Sequence, residues 1–478
     1  MRLGANIEQP GLRRRRKTRK NRKLALILVV LIAAGAVISV SYFRTRTNSA
    51  APATTYVSHV EKSAFTAEYP TQGTETSPNA ITIDSSGNVW FALWNLSSIA
   101  ELNPANGTIH EYHITGLKNG ALVAWGIVVD NSRQVVWFPD LSSNSIWGFN
   151  MSSNKFLQYK IPTPNSFPFR LSLDKNHDVW FTELSAGKIG ELTPNGTIAE
   201  YGVPQSGDTE PSGITVDSLG KIWFTLAGTD SIGYFYNGNF TIQNLTGIIS
   251  TPVGIAVDSH ENVWITQHGP SFISELNPEA HLIKTISTSN NSLTYSLPYF
   301  ISVDSNDNIW FNEHQGNAMS EFIPSSSTLV EYFIPTRIVS EGNISYALTS
   351  ALSNNGQPWY TELFTGKVGT VNITKDLGVG LKVVNYSGSS ASVASGKQIS
   401  LGLSVSSQSE SVNLAGYVGN FTSQGNFTYS FTHNSGNGNF QSTITIHNAG
   451  AKPGVYLITI TARTASLAVS KIIEITVP

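Results

Sequence analysis

The chain has 478 residues, with 40 Gly, 21 Pro, no Cys, 10% aromatic and only 13% charged residues. Such a composition is that of a globular β protein with room for one large domain and one small one. It excludes a disulfide framework and thiol chemistry.

Residues 1–23 carry ten Lys/Arg and one Glu, a net of +9, most of it in Arg13-Arg-Arg-Arg-Lys17 and Arg19-Lys20. An uninterrupted run of apolar and small residues follows from Leu24 to Val40, and Ser41-Tyr42-Phe43 extends it. A run of about 20 residues matches one transmembrane helix over 24–43. The basic block predicts a cytoplasmic tail against anionic headgroups and export of everything beyond residue 43, so the chain reads as a single-pass cell-membrane protein with an extracellular body. A cleaved signal peptide is the competing reading. Its apolar region normally spans about 7 to 15 residues, which favours an uncleaved signal-anchor. Residues 44–64, with Arg44, Arg46 and Ala50-Ala-Pro-Ala53, read as a flexible linker. Beyond Arg46 there are 18 basic and 31 acidic residues, a net of −13. An acidic exported part excludes nucleic-acid binding by phosphate neutralisation.

One pattern recurs over residues 65–375. Trp90, Trp137, Trp180, Trp223, Trp264, Trp310 and Trp359 are separated by 47, 43, 43, 41, 46 and 49 residues. A period in the forties with one fixed aromatic per unit is the mark of a propeller blade, so a seven-bladed β-propeller is expected. Around each Trp the text repeats too, as in Pro211-Ser-Gly-Ile-Thr-Val-Asp217, Ile222-Trp223-Phe224-Thr225 and Ser231-Ile232-Gly233. Another unit closes with Ile198-Ala-Glu-Tyr201-Gly-Val-Pro204. Each unit thus holds four short β-branched or aromatic runs with turn residues between them. An Asp stands six residues before the Trp in five units: Asp84, Asp174, Asp217, Asp258 and Asp304. Asp130 stands seven before, and Ser353 takes the place in the last unit. These aspartates suit tight turns, in which the carboxylate folds back onto the backbone; a ring of metal-binding carboxylates is the alternative. The seventh unit lacks a fourth strand. Phe65-Thr-Ala-Glu-Tyr69-Pro70 resembles that missing strand and is expected to complete the last blade, removing an exposed edge.

Residues 376–478 hold no Trp but seven strand-like runs, including Ile399–Val405, Phe440–Ile446 and Val455–Ile460. That number over that length suggests an immunoglobulin-like β-sandwich suited to spacing, adhesion or packing. Twelve Asn-x-Ser/Thr sequons, from Asn95 and Asn106 to Asn420 and Asn426, are compatible with a glycoprotein exterior.

The unit Pro-x-Gly-Ile-x-x-Asp-x-x-Gly-x-x-Trp-Phe-Thr-Glu, followed by Ile-Gly-x-Leu-x-Pro-x-Gly-x-Ile-x-Glu-Tyr-x-x-Pro, resembles the streptogramin B lyase (virginiamycin B lyase) family over residues 65–375. The third and fourth units match best. The resemblance implies a seven-bladed propeller that opens a cyclic depsipeptide at its ester by elimination, using Mg²⁺, from a site at the end of the central channel. In that family the acting histidines follow the Pro that enters an inner strand. The matching positions here are read as Asn79, Trp125, Phe169, Ser212, Val253, Tyr299 and Tyr346, none of them His. Glu210 keeps a family glutamate before Pro211. The family's magnesium-binding glutamate ends the Trp-Phe-x-Glu run, a place taken here by Glu183, Glu313 and Glu362.

Two readings of function follow. In the first, Trp125, Phe169, Arg170, Tyr299 and Tyr346, with Trp94 near, surround the channel mouth. There they bind an extracellular small molecule, glycan or envelope protein, unless they plug the channel as ordinary core. In the second, His268, His314 and Glu210 act with Mg²⁺ on Glu183, Glu313 and Glu362 in a carbon–oxygen lyase or lactone-opening enzyme. His268 and His314 stand 46 residues apart at equivalent points of adjacent units; capping of rim turns is their alternative role. A purely structural envelope spacer is a third reading.

Overall fold

The computed structural model describes residues 53–478 except 74–75, 115–116, 118–121, 123, 289–295, 337–345, 385–389, 409 and 420–425. The basic tail and the apolar run Leu24–Val40 lie outside the described residues, as do the sequons at Asn290, Asn343, Asn385 and Asn420. Among the described residues no helix is long and apolar enough to cross a membrane.

Each repeat tryptophan lies on the second strand of its own antiparallel sheet. We number these sheets as blades 1 to 7 in the order of their tryptophans. Blade 3 is representative, with strands Pro168–Leu173, Val179–Glu183, Lys188–Leu192 and Ile198–Gly202 in sequential order. The first strands of successive blades lie side by side, and that of blade 7, Ala347–Leu352, returns to that of blade 1, Pro78–Ile83. The ring is therefore a closed β-propeller. Blade 7 is completed by the early segment Thr66–Pro70, paired antiparallel with Lys367–Val371 from Thr66 opposite Val371 to Pro70 opposite Lys367. Joining the two ends of the ring through one sheet leaves no seam between first and last blades.

The spacing of Asp to Trp has a local cause. Asp217 Oδ1 accepts the amides of Leu219 (3.0 Å) and Lys221 (2.8 Å), while Oδ2 accepts the Trp223 indole N–H at 2.8 Å. The same indole bond joins Trp90 to Asp84, Trp180 to Asp174, Trp264 to Asp258 and Trp310 to Asp304, at 3.0–3.3 Å. The six-residue interval is thus the reach of one carboxylate that closes the turn and satisfies a buried indole. The Tyr of each Glu-Tyr pair lies against the same Trp: Trp180 and Tyr201 stack at 5.9 Å, Trp310 and Tyr332 likewise. Trp180 also meets Phe235 of blade 4 at 5.8 Å, so the indole packs between blades. The Gly of Ile-Gly is steric. A Cβ at Gly190 would collide with the Phe181 ring, and one at Gly369 with Tyr360.

Residues 379–477 form two sheets with a common core that includes Leu403, Ile444, Ile458, Ile460 and Ile475. One runs Val379–Val384, Gln398–Ser407, Phe440–Asn448 and Phe427–Phe431. The other, centred on Gly454–Arg463 and Leu467–Val477, is continuous with blade 6: Thr328–Tyr332 pairs antiparallel with Leu467–Lys471. A nine-stranded sheet results, and the outer edge of blade 6 is covered. Thr54–Val57 covers the outer edge of blade 1 in the same way, and Glu61–Lys62 that of blade 7.

Candidate functional site

In blades 1 and 3 to 7 two loops meet at the end of the channel remote from the aspartate turns. One enters the first strand and the other leaves the Trp strand. A residue at positive φ precedes the first strand: Ser77, Phe167, Glu210, Thr251, Leu297 and Tyr346, at φ 49–62°. Its carbonyl accepts the amide of the residue just after the Trp strand. The pairs are Trp94 to Ser77, Leu184 to Phe167, Ala227 to Glu210, His268 to Thr251, His314 to Leu297 and Leu363 to Tyr346, at 2.9–3.2 Å. His268 and His314 thus occupy equivalent places in neighbouring blades.

Strand register settles which residues follow the entering Pro. Pro168 lies opposite Glu183, Pro298 opposite Glu313, and in blade 7 Ala347 lies opposite Glu362. The position matching Phe169 and Tyr299 is therefore Leu348. The expectation that Tyr346 holds it is corrected by two residues, because Ala347 stands where blades 1 and 3 to 6 have Pro. None of Asn79, Trp125, Phe169, Ser212, Val253, Tyr299 and Leu348 is His.

The chain crosses from blade to blade here through side chains of the Trp strand. Thr182 Oγ1 accepts the Arg170 amide (3.1 Å) and donates to the Ser212 carbonyl of blade 4 (3.1 Å). Thr225 joins Gly213 to Val253, Thr266 joins Gly254 to Tyr299, and Asn312 joins Phe300 to Ala347 and Leu348. These bonds explain the Thr of Trp-Phe-Thr, to which the sequence reading gave no role. They also fix the inner strands that carry the channel residues.

The structure brings the expected aromatics together, mostly as a closed floor. Trp94 meets Trp125 edge-on at 5.7 Å, and Trp125 meets Phe169 at 5.7 Å. Arg170 reaches from blade 3 across to blade 6, its guanidinium carbon 3.9 Å from the Phe300 ring centroid and 4.7 Å from that of Tyr299. Tyr299 packs on His314 at 4.5 Å, and Tyr346 on the other side of His314 at 4.6 Å. Trp94, Trp125, Phe169, Arg170, Tyr299 and His314 are at most 5% exposed, whereas His268 and Tyr346 are only half-buried.

His268 Nε2 and His314 Nδ1 are 3.3 Å apart, and His314 Nε2 is 3.3 Å from the Leu348 carbonyl. Burial holds the His268 imidazolium down to about 4, with Arg170 adding to the effect. Burial, His268 and Arg170 push His314 well below the usual range. Both rings are neutral at pH 7. A carbonyl only accepts, so His314 Nε2 carries the proton and its Nδ1 accepts from His268 Nε2–H. His268 Nδ1 is left as the lone pair of the pair. A base of pKa about 4 drives proton abstraction poorly at neutral pH.

The glutamates go elsewhere. Alternation along Val179–Glu183 puts Glu183 on the face of Phe181, opposite Trp180. Burial raises its carboxyl to about 8, with Glu200 of the outer strand adding. Glu313 accepts Ser320 Oγ at 2.7 Å and is raised well above the carboxylate range by burial and Glu331. Glu362 accepts Thr365 Oγ1 at 2.7 Å. Three carboxyls, each held within its own blade, do not offer the converging oxygens that Mg²⁺ takes. Among the described residues no three His, Cys, Asp or Glu side chains gather in metal-holding geometry. Glu210 sits at the positive-φ position of blade 4, among neither group.

A family model described as the virginiamycin B lyase family matches residues 64–352. A virginiamycin B lyase of Nocardia farcinica is 26% identical over 149 residues, 31% of this chain and 48% of the relative, so the chain spans about half the length of that curated relative. A streptogramin B lyase structure overlays with a TM-score of 0.57 at 25% identity, covering 64% of this chain and 97% of that one. The virginiamycin B lyase structure from Staphylococcus aureus also gives 0.57, at 22% identity over 64% and 98% of the two chains, and shows the shared fold. With a match over more than half of its length, the protein belongs to the virginiamycin B lyase family.

Proposed function

We propose that this chain is a membrane-anchored, extracellular member of its family whose propeller binds a ligand or envelope partner at the channel face, and that binding is its task. On this reading residues 1–23 are a cytoplasmic tail, 24–43 a transmembrane helix and the segment from 44 a linker; the linker expected over 44–64 is shortened, because Thr54–Val57 and Glu61–Lys62 pair as edge strands of blades 1 and 7. Residues 65–375 are the binding propeller, and 376–478 an immunoglobulin-like spacer. One observation carries the reading. At the seven positions after the entering Pro or its equivalent, where the family resemblance expects acting histidines, the chain has Asn79, Trp125, Phe169, Ser212, Val253, Tyr299 and Leu348. None of these is a base, and three are rings suited to contact with an apolar or sugar face.

The contact between His268 and His314 favours a second reading, a carbon–oxygen lyase with His268 as the base. Mg²⁺ in that reading would supply electrophilic activation of the ester. Glu183, Glu313 and Glu362, each held within its own blade, do not fit its demands. The full chain in detergent, incubated with a cyclic depsipeptide such as quinupristin with and without Mg²⁺, separates the two. Binding without ring opening in either condition supports the binding reading. Ring opening that His268→Ala abolishes establishes the lyase.

A further inference from the structure

The channel floor is rich in buried donors. The Trp94 and Trp125 indole N–H groups lie out of reach of solvent with no hydrogen-bond partner; Arg170 Nε and Nη2 are buried beside them, and the guanidinium's polar neighbour is the Tyr299 hydroxyl. Asn79 Oδ1 is a buried acceptor without a partner, but its amide nitrogen is already committed to the Ala124 carbonyl of blade 2. Arg170 is the charged member. The residue is 5% exposed, and its guanidinium lies against Phe169, Tyr299 and Phe300 with no carboxylate partner among the described residues. Cation–π contact offsets part of the desolvation of a guanidinium. The Tyr299 hydroxyl beside it is neutral, so the charge stays without a counter-ion, and a buried charge left so is costly.

The position departs from the family text. The resemblance expects Ala or Gly two residues after the entering Pro, and blades 4 and 5 have Gly213 and Gly254 there. In blade 3 an arginine occupies it, opposite the glycine of blade 2: a Cβ at Gly126 would lie 3.2 Å from Arg170 Cα. The missing side chain at Gly126 lets the Arg170 backbone lie close, and the guanidinium extends to the Tyr299 and Phe300 rings.

We propose that the ligand of the channel face carries a carboxylate on an aromatic or apolar body, and that Arg170 is its anchor. The carboxylate pairs with the Arg170 guanidinium as its counter-ion, and the body lies against Trp125, Phe169 and Tyr299. A planar guanidinium receives a carboxylate through two parallel hydrogen bonds, which selects this group over a neutral amide of the same shape. The inference rests on the binding reading above and gives its ligand a chemical class.

The test is calorimetric titration of the full chain in detergent with phenylacetate and, in parallel, phenylacetamide. Phenylacetate is expected to bind at least about tenfold more tightly, and Arg170→Gln to bring the two to equal affinity. Equal binding of both probes by the unaltered chain, sensitive to Trp125→Ala, overturns the carboxylate inference and leaves the channel-face reading standing. Binding of neither probe overturns the inference along with its premise. If Arg170→Gln does not fold, Arg170→Lys carries the test. It keeps the charge but loses the fork, so the preference for phenylacetate falls while phenylacetamide affinity stays. An undiminished preference overturns the anchor role.

Discussion

Asp217→Ala tests the turn that builds each blade. The substitution removes three hydrogen bonds at once: those from the Leu219 and Lys221 amides and that from the Trp223 indole. Trp223 is 1% exposed, so water does not replace the indole's partner. An orphaned buried donor costs about 1–3 kcal/mol, and each amide bond to a carboxylate, partly replaceable by water, contributes about 1 kcal/mol. The expected loss is about 3–5 kcal/mol. Asp217→Asn keeps an acceptor for the two amides but turns an N–H₂ toward the indole, so about 2 kcal/mol is expected. Urea unfolding followed by tryptophan fluorescence reads both, with the exposed Glu279→Ala expected within about 0.5 kcal/mol of the unaltered chain. A midpoint for Asp217→Ala indistinguishable from that of Glu279→Ala refutes the account of the repeat.

Further outcomes follow from the same structure. Gly190→Ala forces a methyl onto the Phe181 ring and should cost about 1–3 kcal/mol, whereas Gly202→Ala, with open space around it, should be near neutral in the same unfolding assay. The raised carboxyl of Glu183 makes the folded state bind protons better than the unfolded one. Its contribution is full below the unfolded value near 4.5 and is lost as pH rises toward about 8, so Glu183→Gln should flatten stability against pH in that window. The buried histidines act in the opposite sense. His268, held to about 4, should erode stability as pH falls from the ordinary imidazole value of 6.5 toward about 4, and His268→Gln should remove part of that slope. Deleting Leu467–Pro478 uncovers the outer edge of blade 6 at Thr328–Phe333 and should produce concentration-dependent association on size exclusion.

Much of the ring was legible because its determinants are local. The Asp–Trp interval, the Glu-Tyr stack and the strand 66–70 are written within single repeats, and each has a contact that requires it. The step that failed in blade 7 shows what the alignment relied on. With Ala347 in place of Pro the fixed point was lost, and Tyr346 was assigned the position that Leu348 holds. The glutamates were misdirected for a different reason. Equivalent places after a shared motif suggested convergence, yet Phe181 and Glu183 stand two apart on one strand and must share a face, away from Trp180. His268 and His314 were correctly placed as neighbours, since adjacency in the ring follows from adjacency in the repeat. Their neutral state was not legible, because it depends first on burial in the assembled ring, with Arg170 of blade 3 adding to it. The join of Leu467–Val477 to blade 6 pairs segments more than a hundred residues apart, and no local signal distinguishes that edge from any other.

Anomalous diffraction from crystals of the full chain grown with 4-bromophenylacetate tests the channel-face site most directly. The account predicts a bromine peak over the floor formed by Trp125, Phe169 and Tyr299, with the carboxylate on Arg170. A peak confined to the opposite face, for instance in the polar cleft lined by Asp84, Asn88, Glu101 and Tyr112, would contradict it.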